Sequence, residues 1–153
     1  MNNDSREIIK NVFCDILERV AFLFGDPVEK CELEGGLQKY MCANIDFAGP
    51  ESGHVALVVP AELCEEIAAN VLGLEPDDEL VQEGAGDALK ELLNVTCGHL
   101  LTSLLGTTMV FDLSSPETVT LDEIAWKNML AQPETVGVRV DDSPVLLNFC
   151  MRN

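Results

Sequence analysis

The chain has 153 residues, 47% hydrophobic and 24% charged; this suits one module spanning residues 1–153 with its own core and excludes a disordered tail. Nine Lys and Arg stand against 27 Asp and Glu, a formal net charge of −18. Nucleic acid and membrane surfaces are therefore excluded as expected partners, because both are held by cations. The acidity favours a basic or metal-bearing protein surface, or serves solubility alone.

In chain order, Asp4-Ser5 reads as a helix cap, and Ile8, Ile9, Val12, Phe13, Ile16, Leu17, Val20 and Phe24 recur at helical spacing until Gly25-Asp26-Pro27 stops the run. From Leu37 to Phe47 the pattern changes to alternation, with Met41, Ala43, Ile45 and Phe47 on one face and Tyr40, Cys42, Asn44 and Asp46 on the other. Residues 49–53 turn into the apolar run His54 to Val59, so the two strands are expected to pair as a hairpin. Pro60 opens a second helix that Gly73 closes.

An acidic connector, Glu75 to Glu79, leads into a third helix reaching about Leu105. Gly106-Thr107-Thr108 breaks it before a short predicted strand at Met109-Val110-Phe111. A short helix is expected near Leu121 to Leu130, and the segment from Glu117 to Pro133, with the sole tryptophan Trp126, has no evident place. The end reads as a hairpin of Val136, Val138 and Val140 with Val145, Leu147 and Phe149, turning at 141–144. The fold class is thus α+β, helices packed against a largely antiparallel sheet.

Six cysteines at 14, 31, 42, 64, 97 and 150 never approach a zinc-ligand spacing. They read as reduced thiols of a cytoplasmic protein, since neither a signal peptide nor a bilayer-length apolar run is found, and most of them, such as Cys14 and Cys64, as small core residues. The two histidines, His54 before an apolar strand and His99 in mid-helix, read as structural. A Ser-His-Asp or Cys-His hydrolase has little to build from. Gly84 and Gly86 open a helix but lack the P-loop lysine and sit among carboxylates, which argues against a nucleotide site.

The third helix carries the strongest pattern. With Asp87 at zero and about 100° per residue, Glu91 falls near about 40°, Asn94 near about −20° and Gly98 near about 20°. Leu89, Leu92, Leu93, Thr96, Leu100 and Leu104 occupy the opposite side, so the stripe is expected to face outward. Spacing alone also describes the wet side of any amphipathic helix. Asn94 and Gly98 are nevertheless poor helix residues, Gly98 by about 1 kcal/mol relative to Ala.

Asp87-x3-Glu91-x2-Asn94, continued by Cys97-Gly98 and followed by Pro116 twenty-two positions after the Asn, resembles the signature of the CheX/CheC/FliY chemotaxis phosphatases, most closely CheX. The order of elements follows that family loosely over nearly the whole chain, which implies a CheC-like α-β-β arrangement. The resemblance implies a phosphorylated CheY-like response regulator as partner and its phosphoaspartate as substrate. By the same resemblance Asn94 orients the attacking water and Glu91 pairs with the regulator's lysine. Asp87 and Gly98 lie on the docking face, and Pro116 shapes the loop beside the site. No cofactor of the chain's own is implied, because Mg²⁺ is carried by the regulator. The opening helix has Glu7 followed by Lys10 rather than Asn, so one site per chain is expected, and pairing through sheet edges makes a homodimer the expected assembly. The alternative is a non-catalytic acidic scaffold that docks on a regulator or flagellar component.

Overall fold

The computed structural model describes residues 2–33 and 39–152. The first helix, α1 (Asn3–Ala21), buries Ile9, Phe13, Ile16 and Leu17 at helical spacing. Its cap is Asn2, whose Oδ1 accepts from the Ser5 amide at 2.8 Å, so Asp4-Ser5 lies inside the first turn rather than before it. The helix also ends sooner than its apolar pattern implies. Phe22 adopts a left-handed conformation at φ 55°, and Phe24, read as an inward helical residue, is 69% exposed. Gly25-Asp26-Pro27 is more than a stop signal: it belongs to an edge strand, β1 (Gly25–Val28), where proline's missing N–H is tolerated.

A short 3₁₀ turn (Lys30–Glu32) follows, then the expected hairpin of β2 (Tyr40–Ala48) and β3 (Ser52–Pro60). Leu37 and Gln38, read as the start of that first strand, lie outside the described residues. Phe47 faces Gly53 across the pair, and a side chain at Gly53 would collide with the Phe47 ring and the Cys150 carbonyl, hence the glycine. Two helices come next, α2 (Ala61–Leu72), closed by Gly73 at φ 69°, and α3 (Glu79–Leu105), capped by the Asp78 carboxylate.

No strand forms at 109–111. Val110 is 81% exposed there, and pairing with β2 begins only at β4 (Asp112–Leu113). The sequence pattern also missed β5 (Glu117–Leu121), a second partner of β2 on the same edge. α4 (Glu123–Ala131) and the hairpin of β6 (Thr135–Val140) and β7 (Ser143–Arg152) complete the chain. That hairpin turns on Asp141 and Asp142, both at positive φ, as a type I′ turn requires.

The sheet runs β1-β6-β7-β3-β2-β4, every pair antiparallel. One face, with Ala43, Ile45, Val55, Leu57, Val138 and Leu147, packs against α1, α2 and α3 in the main core. The other face is apolar at one end only. There Tyr40, Cys42, Ala56, Val58 and Leu146 lie beneath Trp126 of α4, which is 1% exposed and stacks on Tyr40 with centroids 5.3 Å apart. The unplaced tryptophan segment is thus an edge strand followed by the cover of a second, smaller core. No described helix is long and apolar enough to cross a membrane.

At the other end of this second face the sheet is polar. His54 Nδ1 donates to the Asp46 carboxylate at 2.8 Å, its Nε2 lies 2.9 Å from Asn44 Oδ1, and Arg152 Nη2 donates to the same Asp46 oxygen at 2.8 Å. The hydrogen bond from His54, more than the nearby Arg152 charge, holds the Asp46 carboxyl below its ordinary 3.8, against a partial opposing effect of desolvation. A depressed carboxyl contributes stability that is present above pH 3.8 and is lost as pH falls through its folded value. Asp46→Asn is therefore expected to flatten the acid side of the stability profile, as measured by denaturant unfolding between about pH 2 and 5.

Candidate functional site

α3 has 27 residues, about 40 Å of helix. Its core side holds Leu89, Leu92, Leu93, Thr96 and Leu100 at 0% exposure, so the opposite side is fixed toward solvent by the packing itself. Asp87, Glu91 and Asn94 are exposed on it and Gly98 is half-exposed. Asp87 and Glu91 continue a row of exposed carboxylates begun by Glu79 and Glu83, each four residues from the next. Like charges at that spacing weaken a helix by about 0.2–0.5 kcal/mol per pair. Lys90 Nζ, 3.6 Å from Asp87 Oδ1, offsets part of this at a well-solvated position.

The row ends at a neutral amide, Asn94, one turn beyond Glu91. The stripe thus presents a carboxylate that can only accept hydrogen bonds beside a carboxamide that can both donate and accept. Next comes Gly98, where an added Cβ would meet nothing within 4 Å. No neighbour within the described chain therefore demands glycine at this position. Gly98→Ala is expected to stabilise the fold by about 1 kcal/mol through helix propensity, raising the melting temperature by roughly 2–4 °C in a thermal scan.

A second segment borders the stripe, and the sequence pattern did not show it. Beside Gly98, Leu101 and Thr102, the residues Met109, Phe111 and Leu113 close a shallow notch of about 170 Å³, with polar and apolar surface in nearly equal parts. At the opposite end, Thr118 of β5 faces Gly86 of α3, its Oγ1 3.5 Å from where a Cβ would stand. Pro116 falls between these two contacts. It lies in a bulge in which Ser114, Ser115 and Pro116 stand opposite only Ile45 and Asp46 of β2. The bulge is tied to β2 in both directions: the Asp46 amide donates to Ser114 Oγ and the Ser114 amide donates to the Asp46 carbonyl, each at 2.9 Å.

His99, read from the sequence as structural, is instead exposed, one residue past Gly98. His54 is held in the Asn44–Asp46 network on the far face of the sheet. Cys97 is fully buried, and desolvation pushes its thiol up to about 11, which suits a core residue rather than a nucleophile.

The chain matches the family model for the chemotaxis phosphatase CheX over residues 41–136. It belongs to that family. Solved structures share the fold across nearly their whole length. CheX from Vibrio vulnificus is 16% identical with a TM-score of 0.73, covering 97% of each chain. CheX of Borrelia burgdorferi, solved in a CheX–CheY–BeF₃–Mg²⁺ complex, is 19% identical with a TM-score of 0.69, over 99% of this chain and 100% of that one. A CheC-like superfamily protein from Shewanella sp. PV-4 is 20% identical with a TM-score of 0.66 over the full length of both. No curated protein matches the chain. The family model covers α3 together with the bulge that carries Pro116.

Proposed function

We propose that this CheX-family chain removes the phosphoryl group from the phosphoaspartate of a CheY-like response regulator. The observation that carries the reading is the exposed Glu91–Asn94 turn of α3 in a chain of this family, followed by a glycine that its own fold leaves uncrowded. Asn94 reaches into the regulator's active site and orients a water in line with phosphorus. The water oxygen forms the new bond to phosphorus, the bond to the aspartyl oxygen breaks, and the regulator's carboxylate and inorganic phosphate are released.

Phosphoryl transfer of this kind passes through a loose transition state that asks mainly for positioning. A neutral amide meets that need without setting another anion against the phosphoryl oxygens. Glu91 pairs with the regulator's lysine and so fixes the register of the helix on its target, while Asp87 supports docking. Gly98 lets the partner approach closely, and Pro116 shapes the bulge alongside. Mg²⁺ is the regulator's own and neutralises the phosphoryl oxygens there. The setting is the cytoplasm. Two copies pair through strand edges left open by β1 and β5.

The test follows phosphoryl loss from a phosphorylated CheY-like regulator with and without this protein. Accelerated decay supports the proposal. Tight association with decay no faster than that of the regulator alone rejects catalysis and identifies an acidic docking scaffold instead.

A further inference from the structure

Only nine cations serve this strongly acidic chain, so each has several carboxylates within its reach in principle. Arg19, Lys90, Lys127 and Arg152 do pair with carboxylates. Three others converge on one cleft of about 280 Å³ between α1, the Lys30–Glu32 turn and the junction of α4 with β6. Arg6 Nη2 donates to the Pro133 carbonyl at 3.3 Å and Lys30 Nζ to the Gln132 carbonyl at 2.8 Å. Neither is ion-paired with an acid among the described residues. Lys10, its side chain only 7% exposed, lines the same cleft and pairs with the exposed Glu7, whose Oε1 lies 3.6 Å from its Nζ. Arg6 Nε is buried without a hydrogen-bond partner among the described residues.

The arrangement is unfavourable by itself. Arg6 and Lys10 are like charges four residues apart in the N-terminal half of a helix, where both the pair and the macrodipole oppose them. Arg6 also lies close enough to Lys30 that its charge, after desolvation, lowers the Lys30 pKa from its ordinary 10.5, an effect Glu134 partly opposes. Of the acids, Glu29 lines the cleft itself and Glu7 and Glu134 stand nearby; Glu7 and Glu29 are exposed and Glu134 is half-buried. They are solvated competitors for the cations rather than a buried counter-charge.

We infer that the Arg6–Lys10–Lys30 cleft is a binding site for a small phosphate-bearing dianion. The guanidinium is anchored by Pro133 and still has N–H groups to offer, a fixed fork that suits phosphate oxygens, and two ammonium groups flank it. The cleft has the volume for a small phosphomonoester as well as for free phosphate. No residue of α3 or of the 109–118 segment lines it, so the site is independent of the phosphatase reading.

The test is amide chemical-shift mapping on the whole protein, titrated with inorganic phosphate and, separately, with glycerol 3-phosphate. Sodium chloride at matched ionic strength is the control, since a chain of this charge responds to screening alone. Saturable shifts confined to residues 6–10, 30–31 and 132–136 are expected, with a dissociation constant on the order of 1 mM. Lys10→Met, which keeps an apolar stem of similar length, and Arg6→Gln should each weaken binding at least about 10-fold. Tighter binding of the ester identifies a phosphorylated metabolite as ligand, and tighter binding of phosphate the free ion. Shifts equal to those with chloride, shifts located elsewhere, or binding that survives in both variants would overturn the inference.

Discussion

Asn94→Ala is expected to slow dephosphorylation of the regulator by roughly 10²–10³-fold at saturating protein, the scale of losing one orienting donor in a transition state. The fold should be unaffected or slightly firmer, because the side chain is exposed and alanine is the better helix former. A kinetic loss accompanied by an unchanged melting curve therefore isolates the amide's role. Asn94→Asp adds an informative contrast: it keeps the shape but places an anion against the phosphoryl oxygens, so it should not restore the rate. Single-turnover decay of phosphorylated regulator at several protein concentrations separates this from docking. Glu91→Gln should instead raise the concentration needed for half-maximal rate. If Asn94→Ala decays the regulator as fast as the unaltered protein, the assignment of water orientation to this residue is wrong.

Trp126→Ala is expected to destabilise the protein by about 3–5 kcal/mol, the range for deleting a large aromatic from a closed site. That is a large fraction of the roughly 5–15 kcal/mol typical of a native domain. The ring is 1% exposed and stacked on Tyr40, with Cys42, Val58 and Leu146 beneath it. α4 has nine residues, too short to persist without that anchor. Trp126 Nε1 is buried without a hydrogen-bond partner among the described residues, so Trp126→Phe removes an unsatisfied donor along with some contact area and should lose distinctly less. Urea unfolding of the two variants beside the parent checks both the size and the order of these effects.

How far the sequence could be read depends on how local each cause is. The α3 stripe was legible because a continuous 3.6-residue period places Leu89, Leu92 and Leu93 inward over several turns, leaving Asp87, Glu91 and Asn94 one direction to face. The β2–β3 hairpin was legible for the same reason at period two. β1 was not, since a proline and a glycine on a half-exposed edge strand leave no alternation to detect. The short helix near Leu121 to Leu130 was legible, but its place over the second face was not, because Tyr40 and Cys42 share their side of β2 with Asn44 and Asp46, and that side reads as polar when averaged. The border of the candidate site escaped for a different reason. Met109, Phe111 and Leu113 reach Gly98 only through the pairing of β4 with β2, a contact made by the fold and not by neighbours in the chain. Chemistry was the least local of all: geometry offers an amide beside a carboxylate, and family membership supplies the kind of partner it meets.

Glu91 and Asn94 alternate along one helix with leucines that have no exposed surface. Backbone amides in this stretch should consequently exchange with deuterium only when the whole molecule opens. A surface so anchored has little freedom to adapt, so on the proposed function any rearrangement needed to seat the acyl phosphate falls to the visiting regulator. Differences in turnover among regulators would then reflect their own loop motions, with this protein acting as a rigid gauge against which those motions are measured.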